Sequence, residues 1–207
     1  MVKKAPNLNN PAFIHWFSGS TIRDDSGHPL VLYHATDAEF SAFQRTEDIG
    51  FHFGPLVTAE KRLRQIGGFS ESDDRYSEGA HIMPVFVRMQ RPLRLPDLHT
   101  WSPTAVLGAL VDAGVITRET AFECDWVDRE TVAEWLAVKG YDGIVYANHT
   151  EGGGDSFIAL YPEQIKSIWN SGRFAPGEDL SDLETNDIEN SLKHSRTSRC
   201  RFDFSNA

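Results

Sequence analysis

The chain has 207 residues, of which 40% are hydrophobic and 24% charged, proportions that suit one globular domain of ordinary size with tails. Its formal net charge of -10, from 20 Lys+Arg against 30 Asp+Glu, argues against a protein that binds nucleic acid chiefly by neutralising phosphates. No apolar run approaches the roughly 18 residues that a membrane span needs, and the two cysteines, Cys124 and Cys200, are too few for a disulfide framework and fit a reducing cytosol.

Residues 1–10 hold Lys3 and Lys4 without the apolar stretch of a secretory signal and read as a flexible arm. Pro11 to Phe17 follows as a short helix, with proline in its first turn. Thr21 to Arg23 and Pro29 to Tyr33 flank the turn formers Asp24, Asp25, Ser26 and Gly27, a hairpin pattern. Phe40 and Phe43 give a weak helical spacing, and Gly50 to Gly54 is a glycine-bounded aromatic strand. Thr58 to Ile66 reads as a helix with Thr58 as a possible cap, and the polar segment from Gly67 to Gly79 as a mobile loop. Lys61, Arg62 and Arg64 form a basic cluster that reads first as a solvated helix face.

Ile82 to Val87 is a strand whose Pro84 predicts an edge or a strand start, and Leu93 to Leu95 continues after Pro92. Thr104 to Ala113 places Val106, Leu107, Leu110 and Val111 on one helical stripe, and Arg129 to Lys139 repeats the pattern with Val132, Trp135 and Leu136 before Gly140. Tyr141 to Tyr146, Ser156 to Leu160 and Ile165 to Trp169 complete the strands. From residue 176 to 207 the chain is polar, acidic and then basic, and reads as a disordered tail. Strands interrupted by inserted helices, without strict alternation, predict an α+β domain.

No Gly-x-Gly-x-x-Gly or Walker sequence is present, so a nicotinamide cofactor would not sit on a Rossmann phosphate turn. Neither a nucleophile elbow nor metal-ligand histidine spacing occurs. The chemistry-bearing stretches are Tyr33-His34-Ala35-Thr36, Phe51-His52-Phe53 with Thr58, and Glu151 through the glycines at 152–154 to Asp155-Ser156. A histidine at a strand end is rigidly placed to exchange hydrogen bonds with sugar hydroxyls. Because strand side chains alternate, His52 and its two phenylalanine neighbours face opposite ways, with His52 expected toward a pocket. Thr58 fits a pocket equally with its helix-cap reading.

These stretches, taken in order with Trp16 to Ser20, Asp25-x-Gly27-x-Pro29, Phe40-x-x-Phe43, Gly50-x-x-Phe53-Gly54, Tyr141-Asp142-Gly143-Ile144 and Gln164-Ile165-Lys166-Ser167, resemble the ADP-ribosyltransferase domains of phages and mobile elements. The similarity spans about residues 11–175. It implies an α+β fold with a split β-sheet cleft and peripheral helices, and a mono-ADP-ribosyltransferase that uses NAD as co-substrate without a metal. The acceptor it implies is a macromolecule, protein being favoured over nucleic acid on charge, with no membrane partner. The compartment would be the cytoplasm, or another cell reached by a non-classical route.

By the same resemblance His34 holds the NAD ribose, with Tyr33, Ala35 and Thr36 beside it. Phe51, His52 or Phe53 supplies the nicotinamide stack, His52 standing where the poly(ADP-ribose) polymerases of the wider superfamily carry tyrosine, and Thr58 matches a serine that bonds the nicotinamide amide. The polymerases' catalytic glutamate falls in register on Ser156, so the carboxylate passes to Asp155, the preferred reading, or to Glu151. An inactive NAD- or partner-binding module and an NAD glycohydrolase are the alternatives. Asp142-Gly143 reads as scaffold, and Glu163 and Gln164 as holding the turn after the last long strand.

Overall fold

The computed structural model describes residues 7–38, 43, 48–70, 75–124 and 126–169. The proposed tail at 176–207, most of the spacing between Phe40 and Phe43, and the centre of the polar loop at 71–74 lie outside the described residues.

Among the described residues, seven strands form two sheets. In the first, β1 (Leu32–Thr36), β3 (His81–Val87) and β7 (Ile165–Ser167) lie in the order β1-β3-β7, all antiparallel. The second has the order β2-β6-β5-β4, from β2 (Phe51–Phe53), β6 (Gly154–Ala159), β5 (Gly143–Asn148) and β4 (Pro92–Arg94). Only β4 and β5 run parallel. The sheets touch where Tyr33 N–H donates to Gly54 O at 2.9 Å and Gly54 N–H donates to Tyr33 O at 3.1 Å.

Five α-helices surround the strands among the described residues: α1 (Pro11–Trp16), α2 (Leu56–Ile66), α3 (Pro103–Asp112), α4 (Arg118–Phe122) and α5 (Arg129–Val138). Their starts follow capping chemistry. Asn10 accepts from Ala12 N–H at 2.9 Å ahead of Pro11, Ser102 caps α3 ahead of Pro103, Thr117 caps α4, and Asp128 accepts from Thr131 N–H at 2.7 Å to cap α5. The apolar stripes of α3 and α5 meet in a core with Ile144, Ile158 and Trp101. Phe13, Phe17, Phe51, Phe53 and Phe86 belong to a second, largely aromatic core beneath α1. Mixed helices and mostly antiparallel strands agree with the α+β reading.

Three local expectations need correction. The hairpin before β1 reduces to one bridge between Arg23 and Pro29, because β1 takes β3 as its partner. Its turn survives, tied by Ser26 and His28 N–H groups that each donate to Asp24 Oδ1 at 2.9 Å. Pro84 lies in the central strand of its sheet. Its carbonyl accepts from Ile168 N–H at 3.3 Å, which places its missing donor on the β7 side, just past the paired residues of that strand. Thr58 is the third residue of α2 rather than its cap, a place held by Pro55.

Asp142 and Gln164 behave as scaffold. The Asp142 carboxylate accepts from Gln90 and Arg91 N–H groups at 2.6 and 2.9 Å. Buried Gln164 accepts from Leu160 and Tyr161 N–H groups at 2.9 Å and donates to Asp142 O at 2.7 Å, which closes the chain from β6 into β7.

Candidate active site

A cavity of about 820 Å³ opens where the two sheets meet, bounded by β1, β2, one side of α2, the ends of β5 and β6, and the 97–101 loop. Tyr33, His34, Ala35, Thr36, Phe51, His52, Phe53, Thr58, Glu151 and Ser156 all line it. Residues up to 123 positions apart (Tyr33 to Ser156) are thereby brought to one space.

His34 is placed by β1 and locked from β2. Its Nδ1 lies 2.8 Å from His52 O, and a carbonyl only accepts, so Nδ1 carries the proton and Nε2 is the acceptor nitrogen of a neutral ring. Burial lowers the His34 pKa, against the bond to His52, and the nearby His81 and Arg62 lower it further. The ring packs against Phe43 and Phe53 at centroid distances of 5.2 and 5.5 Å. Thr36, also buried, is turned to its own chain through Ala38 at 3.2 Å.

The pleat of β2 sorts its three rings as alternation requires. Phe51 and Phe53 meet Phe43 at 5.3 and 5.7 Å, whereas His52 meets Trp101 at 6.1 Å. The His52 side chain is half-buried as a whole, but its Nε2 is shielded from solvent and has no hydrogen-bond partner. Burial, helped by the electrostatic influence of nearby His34 and Arg62, pushes its pKa down to about 3. A neutral imidazole avoids the larger penalty that a charged ring would incur in so shielded a place.

The end of β5 and the following turn hold the carboxylate. Buried Asn148 donates from Nδ2 to Glu151 Oε2 at 2.7 Å and to Ser156 Oγ at 3.0 Å, and its Oδ1 accepts from Glu151 N–H at 2.8 Å. Ser156 also bonds Tyr146, whose hydroxyl is pushed up to about 12, first by burial and then by the Glu151 charge. Gly152, Gly153 and Gly154 all have positive φ, at 74°, 97° and 107°, a path that L side chains rarely take. A Cβ on Gly153 would stand 2.5 Å from Val57 Cγ1. The turn thus lies directly on α2, where the Thr58 hydroxyl donates to Gly152 O.

Asp155 does not join this group. It stands on the opposite face of β6 from Ser156 and forms a two-pronged ion pair with Arg94, one arm at 3.0 Å. That pairing holds its carboxyl below the usual range. The expectation that the glycine approach turns Asp155 inward is therefore not met. The pleat gives one inward position, and Ser156 has it.

Two further contributors come from outside the chemistry-bearing stretches, one of them from the cluster that reads as a solvated helix face. Arg62, from the basic cluster on α2, lines the cavity and is its cation on that side. The 97–101 loop brings Asp97, His99 and Trp101, with the Trp101 ring tilted at 41° to that of Tyr146, centroids 4.4 Å apart. Nothing local in Asp97-Leu98-His99-Thr100-Trp101 announces this, because the loop is held by Asp97 accepting from His149 and Thr150 N–H groups at 2.9 and 3.2 Å, more than fifty residues away.

Among the described residues, no three or more His, Cys, Asp or Glu side chains form a metal-binding group, and no helix is long and apolar enough to cross a membrane. Against curated proteins the chain finds no match. The crystal structure of an anti-CRISPR protein aligns with 13% identity over 64% of this chain and 90% of its own, at a TM-score of 0.29, a likeness too low to carry an argument. The family model for ADP-ribosyltransferases in polyvalent proteins matches residues 24–174. That match takes in every element from the turn before β1 to the end of β7, and by it the chain belongs to the family of ADP-ribosyltransferases found in polyvalent proteins.

Proposed function

We propose that the cavity binds NAD in a cleft between the two sheets, and that the chain is a mono-ADP-ribosyltransferase which expels nicotinamide and passes ADP-ribose to a macromolecular acceptor. The observation that carries this reading is the convergence of neutral His34, shielded His52 and the Asn148-held Glu151 on one cavity. His34 Nε2 accepts a hydrogen bond from a ribose hydroxyl and so fixes the sugar beside the bond to be broken. His52, Trp101 and Tyr146 form the polar and aromatic wall suited to the nicotinamide ring and its amide.

Glu151 is the carboxylate of the reaction in this reading. As the bond to nicotinamide breaks, positive charge develops on the ribose, and a fixed carboxylate stabilises it and orients the sugar. Ser156 then has a supporting part, receiving one Asn148 hydrogen bond while the same amide holds Glu151. The net charge of -10 favours a protein acceptor over nucleic acid.

The residues 11–175 constitute the transferase domain in this proposal. Release of nicotinamide and transfer of labelled ADP-ribose into a cell lysate test the function, with His34→Ala as the site control. We expect the substitution to lower both by about 10²-fold or more; a rate equal to the unsubstituted protein's would remove His34 from the site. Ser156 at the strand position favours a second reading, an NAD-binding module without turnover. Calorimetric NAD binding with no nicotinamide release would select it, and free ADP-ribose without labelled acceptor would select NAD glycohydrolysis.

A further inference from the structure

Asp97, Thr150 and His99 form a hydrogen-bonded relay at the rim of the cavity, and all three line it. Thr150 Oγ1 lies 3.1 Å from Asp97 Oδ2, and since a carboxylate only accepts, the hydroxyl donates there. The same Thr150 oxygen lies 2.8 Å from His99 Nδ1 and must serve as acceptor, so Nδ1 carries the proton. A neutral ring in that tautomer has its basic lone pair on Nε2.

The relay is built, not incidental. Asp97 accepts four bonds, from His99, His149 and Thr150 N–H groups and the Thr150 hydroxyl, at 2.9 to 3.2 Å. Burial pushes the Asp97 carboxyl up, but these donors together outweigh it and hold it below the usual range. His99 is the only non-glycine with positive φ among the described residues, at 60°, and Asp97 Oδ1 accepts its N–H at 3.1 Å. Such backbone persists where the surroundings over-determine it. The exposed ring stands on a loop joined to Thr150, the residue preceding Glu151.

We propose that His99 is the general base that activates the acceptor, and that the acceptor is of the hydroxyl class, a serine or threonine side chain or water. The assignment rests on the NAD-cleaving function proposed above. The hydroxyl O–H bond breaks and its proton passes to His99 Nε2, while the oxygen's electron pair forms the bond to the anomeric carbon of the ribose. The electron pair of the ribose–nicotinamide bond leaves with nicotinamide, which departs neutral. The imidazolium is stabilised by Asp97 through Thr150 and returns its Nε2 proton to solvent.

Nicotinamide release from NAD by the full chain, in water alone and with added azide, tests the base. Azide is an anion and needs no deprotonation. His99→Asn keeps a residue that tolerates positive φ, and Thr150→Val breaks the relay while leaving the imidazole. We expect His99→Asn to lower release in water by about 10²-fold, within the range for general bases, and azide to restore most of it. Thr150→Val should give a smaller loss with the same rescue, and NAD affinity by calorimetry should stay within about threefold for both, on the order of 0.7 kcal/mol. A His99→Asn rate within twofold of the parent, or a loss that azide does not restore, would overturn the assignment. Unsubstituted protein that binds NAD and releases no nicotinamide would instead overturn the transferase reading, and this one with it.

Discussion

Glu151 and Asp155 are two carboxylates four positions apart in opposite settings. Glu151 faces the cavity, with one oxygen on the buried Asn148 amide. Asp155 is on the other side of β6, its side chain 40% exposed and paired with an Arg94 that is 60% exposed. The difference teaches that the pleat of a strand decides which neighbour enters a cavity, whereas a loop can deliver a carboxylate independently of that pleat. A charge held by a buried, fully bonded amide is positioned for work. One held by an exposed arginine contributes little.

The sharpest way to break the contrast is Glu151→Gln, which keeps the size and the contact with Asn148 but removes the charge. Nicotinamide release should fall by about 10² to 10³-fold, the range for removing one group that stabilises charge in the transition state; an unchanged rate would move the acid elsewhere. Asn148→Ala should come next. It removes a bond to a charged group worth about 1.5–3 kcal/mol, so release should drop by about tenfold or more while Glu151 remains, and Asn148→Gln should recover less than the parent because its reach differs.

Asp155→Asn should have the smallest effect, with NAD cleavage unchanged and stability lowered by less than about 1 kcal/mol for so exposed a pair. Its signature is in acid. The Asp155 carboxyl lies below its ordinary 3.8 when folded, so its contribution is present above that pH and is lost as pH falls below it. Urea unfolding of Asp155→Asn should therefore approach the parent's stability as the pH is lowered. A large activity loss in this variant would restore Asp155 as the catalytic acid and reverse the comparison.

Periodicity made much of the fold legible. The apolar stripes of α3 and α5 are local patterns with a helical period, and these two helices and β3 each formed within a residue or two of the expected span. Helix α4 escaped because it has five residues and none buried, so it writes no stripe. The segment at Thr21 to Arg23 has strand composition, yet Thr21 N–H goes to Met89 O at 2.7 Å, a partner chosen by tertiary packing.

The site was legible where one element suffices and opaque where two must meet. His34 and His52 stand out because each lies on a strand with a fixed facing. Asp97, His99 and Thr150 do not, since what joins them is hydrogen bonding across 51 to 53 positions. Asn148, one residue at the end of β5, gave no sign of holding Glu151 because an amide at a strand end has many uses. The choice between Asp155 and Glu151 turned on register and on a turn whose path depends on three left-handed glycines.

That glycine turn is anchored twice at its entry: Asn148 holds Glu151 just before it, and Thr58 on α2 holds Gly152, its first residue. The carboxylate consequently belongs to the frame of the protein and not to a flap. Its place is set before any substrate arrives, so binding need not supply the ordering that a closing loop would demand. Selectivity in such a site is exercised at admission, by what the rim of the cavity allows to approach an already assembled centre.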